Sequence, residues 1–178
     1  GITRGFGAIE TSALVTNGGG YKKAESDSHK KFSFHAVYGE PKLNKNNGFN
    51  TGASFSFEPY DIDSSATENT NVMGIFAGYA RSGFRGGLEF DTKQKNDITS
   101  QIICIYGTYK ISEKLSLLTR IDQIEANTSV DEDGIQAFIA GVHYNLEKGL
   151  TIAPTFRMIK SETGETESAI VVNFQFQF

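Results

Sequence analysis

The chain has 178 residues, a net charge of −4 and a single cysteine, Cys104; this rules out an internal disulfide and a cysteine metal site and gives no case for nucleic-acid binding. Apolar residues make up 38% of the chain, and no run approaches the ~20 apolar residues of a transmembrane helix. Nineteen glycines, three prolines and fourteen phenylalanines favour β structure with many turns, in one domain spanning 1–178.

About ten segments alternate with the period of a strand: roughly 4–16, 31–39, 48–58, 71–81, 84–92, 98–110, 114–125, 135–145, 150–160 and 168–178. Gly1-Ile2-Thr3 leads almost directly into the first, with no signal peptide, so a mature form or a chain lacking its upstream part is expected. Phe49, Thr51, Ala53, Phe55 and Phe57 oppose Asn50, Gly52, Ser54, Ser56 and Glu58. The fourth segment, Val72–Ala80, is apolar on both faces, so its pattern leaves the register open. Further on, Phe84, Leu88 and Phe90 oppose Arg85, Glu89 and Asp91, while Ile152, Pro154 and Phe156 oppose Thr151, Thr155 and Arg157. The last segment places Ile170, Val172, Phe174, Phe176 and Phe178 on one face and Asn173, Gln175 and Gln177 on the other. A water-exposed tip would fray, whereas a strand with lipid on one side and water on the other has a reason to keep terminal aromatics in register.

The connections alternate in length. Short ones fall at 81–83, 112–113 and 147–149; long polar ones at 17–30, 59–70, 126–134 and 161–167; medium ones at 40–47 and 93–97. Outer-membrane barrels place short turns on the periplasmic side and long loops outside. An even strand number then puts both chain ends on the periplasmic side. Tyr38, Tyr79, Tyr109, Tyr144, Phe176 and Phe178, near strand ends, suit an interfacial aromatic girdle; the alternative is the core of a β-sandwich. The expected fold is an antiparallel transmembrane β-barrel of the bacterial outer membrane.

Several stretches resemble a known family. Asn17-Gly18-Gly19-Gly20-Tyr21-Lys22-Lys23-Ala24-Glu25, followed by Lys30–Ser33, is similar to a stretch of the outer-membrane porins related to the phosphate-selective porins of Gram-negative bacteria. Leu115–Asp122, Ala137–Leu146 and Gly149–Arg157, leading to the terminal Phe178, resemble that family's late strands. The resemblance implies the C-terminal part of a barrel of about 16–18 strands, a homotrimer, contact with outer-membrane lipid and lipopolysaccharide, and Phe178 as the signal read by the barrel-assembly machinery. Ten strands alone close into a nearly filled interior, so a complete small barrel is the competing expectation.

In this arrangement Glu10, His35, Arg85, Glu89, Asp91, Arg120, Asp122 and Arg157 are the pore-lining candidates. A salt-bridge network filling a narrow barrel is their structural alternative. Phe55, Phe57, Leu88, Phe90, Ile152, Phe156, Phe174 and Phe176 are expected to face lipid. No basic ladder appears, so phosphate selectivity does not carry over. Lys22, Lys23, Lys30 and Lys31 read as a solvated loop, and Gly18–Gly20 lacks phosphate-loop spacing. The acidic tips Asp61-Ile62-Asp63 and 131–134 miss EF-hand spacing, so no metal is expected. His29, His35 and His143 have no nameable catalytic partner, so neither an enzyme nor a cofactor is expected. The functional expectation is passive diffusion of small hydrophilic solutes or ions, against a non-conducting barrel for adhesion, anchoring or envelope-complex assembly. A soluble lipid-binding barrel, with its apolar faces inward, is the third alternative.

Overall fold

The computed structural model describes residues 1–17, 29–62 and 66–176. Phe178, Lys22, Lys23, Gly18–Gly20 and Asp63 lie outside them. Eleven strands are formed: β1 (Ile2–Phe6), β2 (Ile9–Thr16), β3 (Lys31–Gly39), β4 (Gly48–Asp61), β5 (Thr67–Arg81), β6 (Phe84–Lys95), β7 (Ile98–Lys110), β8 (Leu115–Glu125), β9 (Gly134–Glu147), β10 (Leu150–Ser161) and β11 (Thr166–Phe176). They pair in chain order in one antiparallel sheet, and the described residues include no helix. The sheet is open. Among the described residues, β1 and β11 each pair on one side only.

Three expectations are corrected. The segment 4–16 is a hairpin and not one strand, because Gly7 adopts a left-handed φ of 64° and reverses the chain. A continuous strand would put Phe6 and Ile9 on opposite faces; the hairpin pairs them on one. With eleven strands, β1 and β11 run in the same direction, so Ile2 and Phe176 lie at opposite edges, where an even count required one shared edge. Several loops also shrink, because their hairpins continue: β4 and β5 pair up to Asp61↔Thr67, and β6 and β7 turn at Asn96-Asp97. The register of β5 is settled by Phe55↔Met73 and Thr51↔Ala77, which send Met73, Ile75, Ala77 and Tyr79 to the face carrying the phenylalanines.

The two faces differ in chemistry and in shelter. One carries Phe34, Phe55, Ile75, Leu88, Ile105, Ile121 and Phe156, all exposed. The other carries the buried side chains Val37, Ala80, Cys104, Asp122, Ala153 and Thr155. A soluble sheet buries its apolar face and shows its polar one. Here the large apolar side chains stand on the exposed face.

The apolar band runs obliquely across the strands. The cross-strand row through Tyr79, the lowest aromatic of β5, passes Gly86, Gly107, Thr119, Ala140 and Phe156 and reaches Ile170 on β11. Phe176, the lowest aromatic of β11, lies six residues beyond Ile170. That offset is about 20 Å along the strands for about 29 Å across them, so the strands tilt about 35° from the normal of the band. The opposite, polar border shifts the same way, from Asn71 on β5 to Gln101 on β7, Gln136 on β9 and Ser168 on β11. From Tyr79 to Asn71 the band measures about 26 Å along the strand, or about 22 Å after tilt.

Candidate functional site

All eight pore-lining candidates fall on the sheltered face, and all eight lipid-facing candidates fall on the apolar one, as the pairings dictate. Glu10, Glu89 and Asp122 share one cross-strand row, which runs Val37, Gly52, Phe76, Glu89, Cys104 and Asp122. Arg120 and Arg157 share the next row towards the short-turn edge, on either side of Ile139. Arg85 lies nearer that edge again, while His35 and Asp91 lie on the opposite side. Carboxylates and arginines are therefore sorted by level along the strands.

They meet at one point. Arg120 Nε donates to Asp122 Oδ1 at 3.0 Å and Oδ2 at 2.9 Å, two neighbours on the same face of β8. Asp122 faces Cys104 across the β7–β8 pair, and Cys104 faces Glu89. The structure brings Arg120, Asp122 and Glu89 together around the buried thiol. Glu10, His35 and Arg157 stand on other strands.

Large side chains on this face lie flat over glycines. Phe76 crosses Gly52 to stack on His35, with ring centroids 5.5 Å apart and planes 10° from parallel. Tyr106 rests on Gly87, where a Cβ would come within 2.7 Å of its hydroxyl oxygen. A Cβ at Gly52 would meet Phe76 Cζ at 2.5 Å and collide with the Ala36 carbonyl. We expect Gly52→Ala to cost about 1–3 kcal/mol, because the obstruction includes backbone. Urea unfolding in detergent measures it, and an unchanged midpoint refutes the seat.

The segment 40–47, somewhat long for a turn on the short-turn edge, folds back onto the sheltered face. Asn50 Nδ2 donates to the Glu40 carbonyl at 3.0 Å, and Arg85 Nη1 donates to the Asn46 carbonyl at 3.3 Å. Leu43 packs over Gly78, where a Cβ would come within 2.8 Å of Leu43 Cδ1. The Asn46 side chain and the Lys42 N–H, donating at 2.9 Å, hold the Glu40 carboxyl below its ordinary range. A depressed carboxylate favours this folded turn above its unperturbed pKa, and the effect fades as pH falls through the lowered value. Between the turn and the sheet lies a cavity of about 430 Å³, lined by Leu43, Asn50, Phe76, Arg85, Tyr106 and Thr108 among others. An apolar Leu43 in an otherwise polar turn was the one local sign of this.

At the opposite edge, His29 Nε2 and Asp61 Oδ1 are 2.8 Å apart, and Thr67 Oγ1 donates to the same oxygen at 3.2 Å. Separated by 32 positions, His29 and Asp61 carry no local signal of their pairing. A hollow of about 590 Å³ lies away from all this chemistry, over Gly107, Thr119 and Ala140. Among the described residues no cluster of His, Cys, Asp and Glu is arranged to hold a metal ion. No family model matches this chain, and no curated protein matches it.

Proposed function

We propose that this sheet forms part of the wall of a bacterial outer-membrane β-barrel that lets small hydrophilic solutes or ions diffuse passively along its polar face. The observation that carries the reading is the oblique apolar band. Transmembrane barrels tilt their strands ~35–45° and carry an outward apolar band ~25 Å tall with aromatic borders. The tilt of about 35° and height of about 22 Å obtained from the register match both figures. The aromatic border is drawn by Tyr38, Phe49, Tyr79, Phe84, Tyr109, Tyr144 and Phe176. Tyr38 and Phe49 stand 6.0 Å apart, centroid to centroid.

A soluble lipid-binding barrel would turn its apolar face inward, opposite to the shelter seen here. In lipid, the free edges of β1 and β11 need partners, since no water is there to satisfy them. Because those strands run in the same direction, an all-antiparallel closure inserts an odd number of strands between them. A larger barrel of about 16–18 strands, assembled by the outer-membrane machinery, in contact with lipopolysaccharide and trimeric, is the form in keeping with the resemblance. A second reading, a non-conducting barrel for adhesion, anchoring or assembly, is favoured by Ile102, Ile124, Ile135 and Ile139, which give the sheltered face an apolar patch.

Planar-bilayer recordings on folded protein, extracted from membranes in mild detergent, separate the two. Stable conductance steps are expected. Silence from pure, folded protein removes the channel reading and leaves the second. Stable solubility as a monomer without detergent overturns both.

A further inference from the structure

We infer that the inward-folded segment 41–47 is the constriction of the proposed channel, so that its narrowest point is set from the short-turn side by Leu43 and Asn44 against Arg85 and Tyr106. The inference rests on the channel reading and adds to it the element that limits what passes.

Three contacts hold the segment and the residue that leads into it over the polar face rather than beyond its rim: Leu43 on Gly78, Asn50 to the carbonyl of the preceding Glu40, and Arg85 to the Asn46 carbonyl. They approach it from β4, β5 and β6, so the segment spans several strands instead of capping one hairpin. The other described turns on this edge, Gly7-Ala8, Ser82-Gly83 and Lys148-Gly149, are too short to reach inward. Residues 111–114 close on themselves, with Ile111 and Ser112 N–H groups donating to the Leu115 carbonyl.

The depth of the segment is fixed by Gly78. On β5 the band runs from Tyr79 to Asn71 with Ile75 at its centre, which places Leu43, over Gly78, about 10 Å along the strand from mid-height. Phe76 and Tyr106, laid flat over Gly52 and Gly87, leave the space above β4–β6 clear. The segment thus overhangs this part of the face. The cavity of about 430 Å³ beneath it has the volume of a small polar solute's enclosure, with an arginine, two amides and three hydroxyl residues on its wall. A solute passing this point meets hydrogen-bonding groups on one side and the Leu43 side chain on the other. Narrowness and polar contact together make a selectivity filter.

The test uses two variants read by single-channel recording. Exchanging residues 41–47 for a two-residue Asn-Gly turn is expected to raise the conductance step roughly twofold, since the narrowest cross-section limits ion flow. Leu43→Cys, which leaves the turn in place, is expected to lose about half of its step on reaction with a bulky, membrane-impermeant thiol reagent. The unmodified protein serves as control, its one thiol, Cys104, being buried. Ile111→Cys, on a turn that stays at the rim, is expected to keep its conductance. If the parent conducts and neither change alters the step, the constriction lies elsewhere and the inference falls while the channel stands. If the folded parent is silent, the channel reading itself falls.

Discussion

Replacing Leu88 by arginine is expected to cost about 2–4 kcal/mol of stability in a bilayer, the cost of a guanidinium near the midplane of a barrel's lipid face. Leu88 occupies the centre of the apolar run of β6, between Phe84 and Thr92, with Ala77 and Ile105 beside it. It is 54% exposed. In water, a leucine so exposed tolerates arginine within about 0.5 kcal/mol, because little is buried and the new charge is hydrated. The two environments thus predict different outcomes for one substitution. Reversible urea unfolding in lipid vesicles supplies the measurement, with Thr92→Arg at the polar border as the comparison. A Leu88→Arg variant as stable as the parent would mean that this face does not meet lipid.

A loss of about 1–3 kcal/mol is expected for Arg120→Met. The Asp122 side chain is 9% exposed, and Arg120 is its ion-pair partner. Removing one member of a buried pair strands the other, at about 3–5 kcal/mol when both are fully buried. The Arg120 side chain is 46% exposed, so water can replace part of what it supplies and the expected loss is smaller. The double variant Arg120→Met with Asp122→Asn is expected to recover at least about 1 kcal/mol relative to the sum of the single changes, because the uncompensated charge is gone. Strict additivity in that cycle would show that the pair is not coupled. Glu89 sharpens the expectation. It faces the same buried Cys104, so losing Arg120 leaves two carboxylates near each other without their nearest cation.

The division of the chain into a polar and an apolar face was legible in the sequence. Side chains on a strand alternate with period two, so Phe55 against Ser54, or Leu88 against Glu89, needs no partner strand to be sorted. The pairings place eight of the sixteen assigned residues on one face and eight on the other. The strand count was less legible. Arg4–Thr16 alternates passably as one strand, and only the backbone reversal at Gly7 splits it. On β5, with apolar residues on both faces, register came from the Phe55↔Met73 pairing.

What the sequence determined by itself is this two-faced sheet with aromatics near its strand ends, because those properties are local to each strand. Tertiary pairing decided how the strands are offset, and hence the tilt of about 35° that turns ten separate patterns into one continuous oblique band. It also decided that Arg120 finds Asp122, that His29 finds Asp61, and that the turn after β3 folds inward over Gly78 and not away. Each depends on atoms brought together from different strands or levels of the sheet. A turn's direction follows from what receives it, and here Gly78 leaves room for Leu43 while Arg85 holds the Asn46 carbonyl.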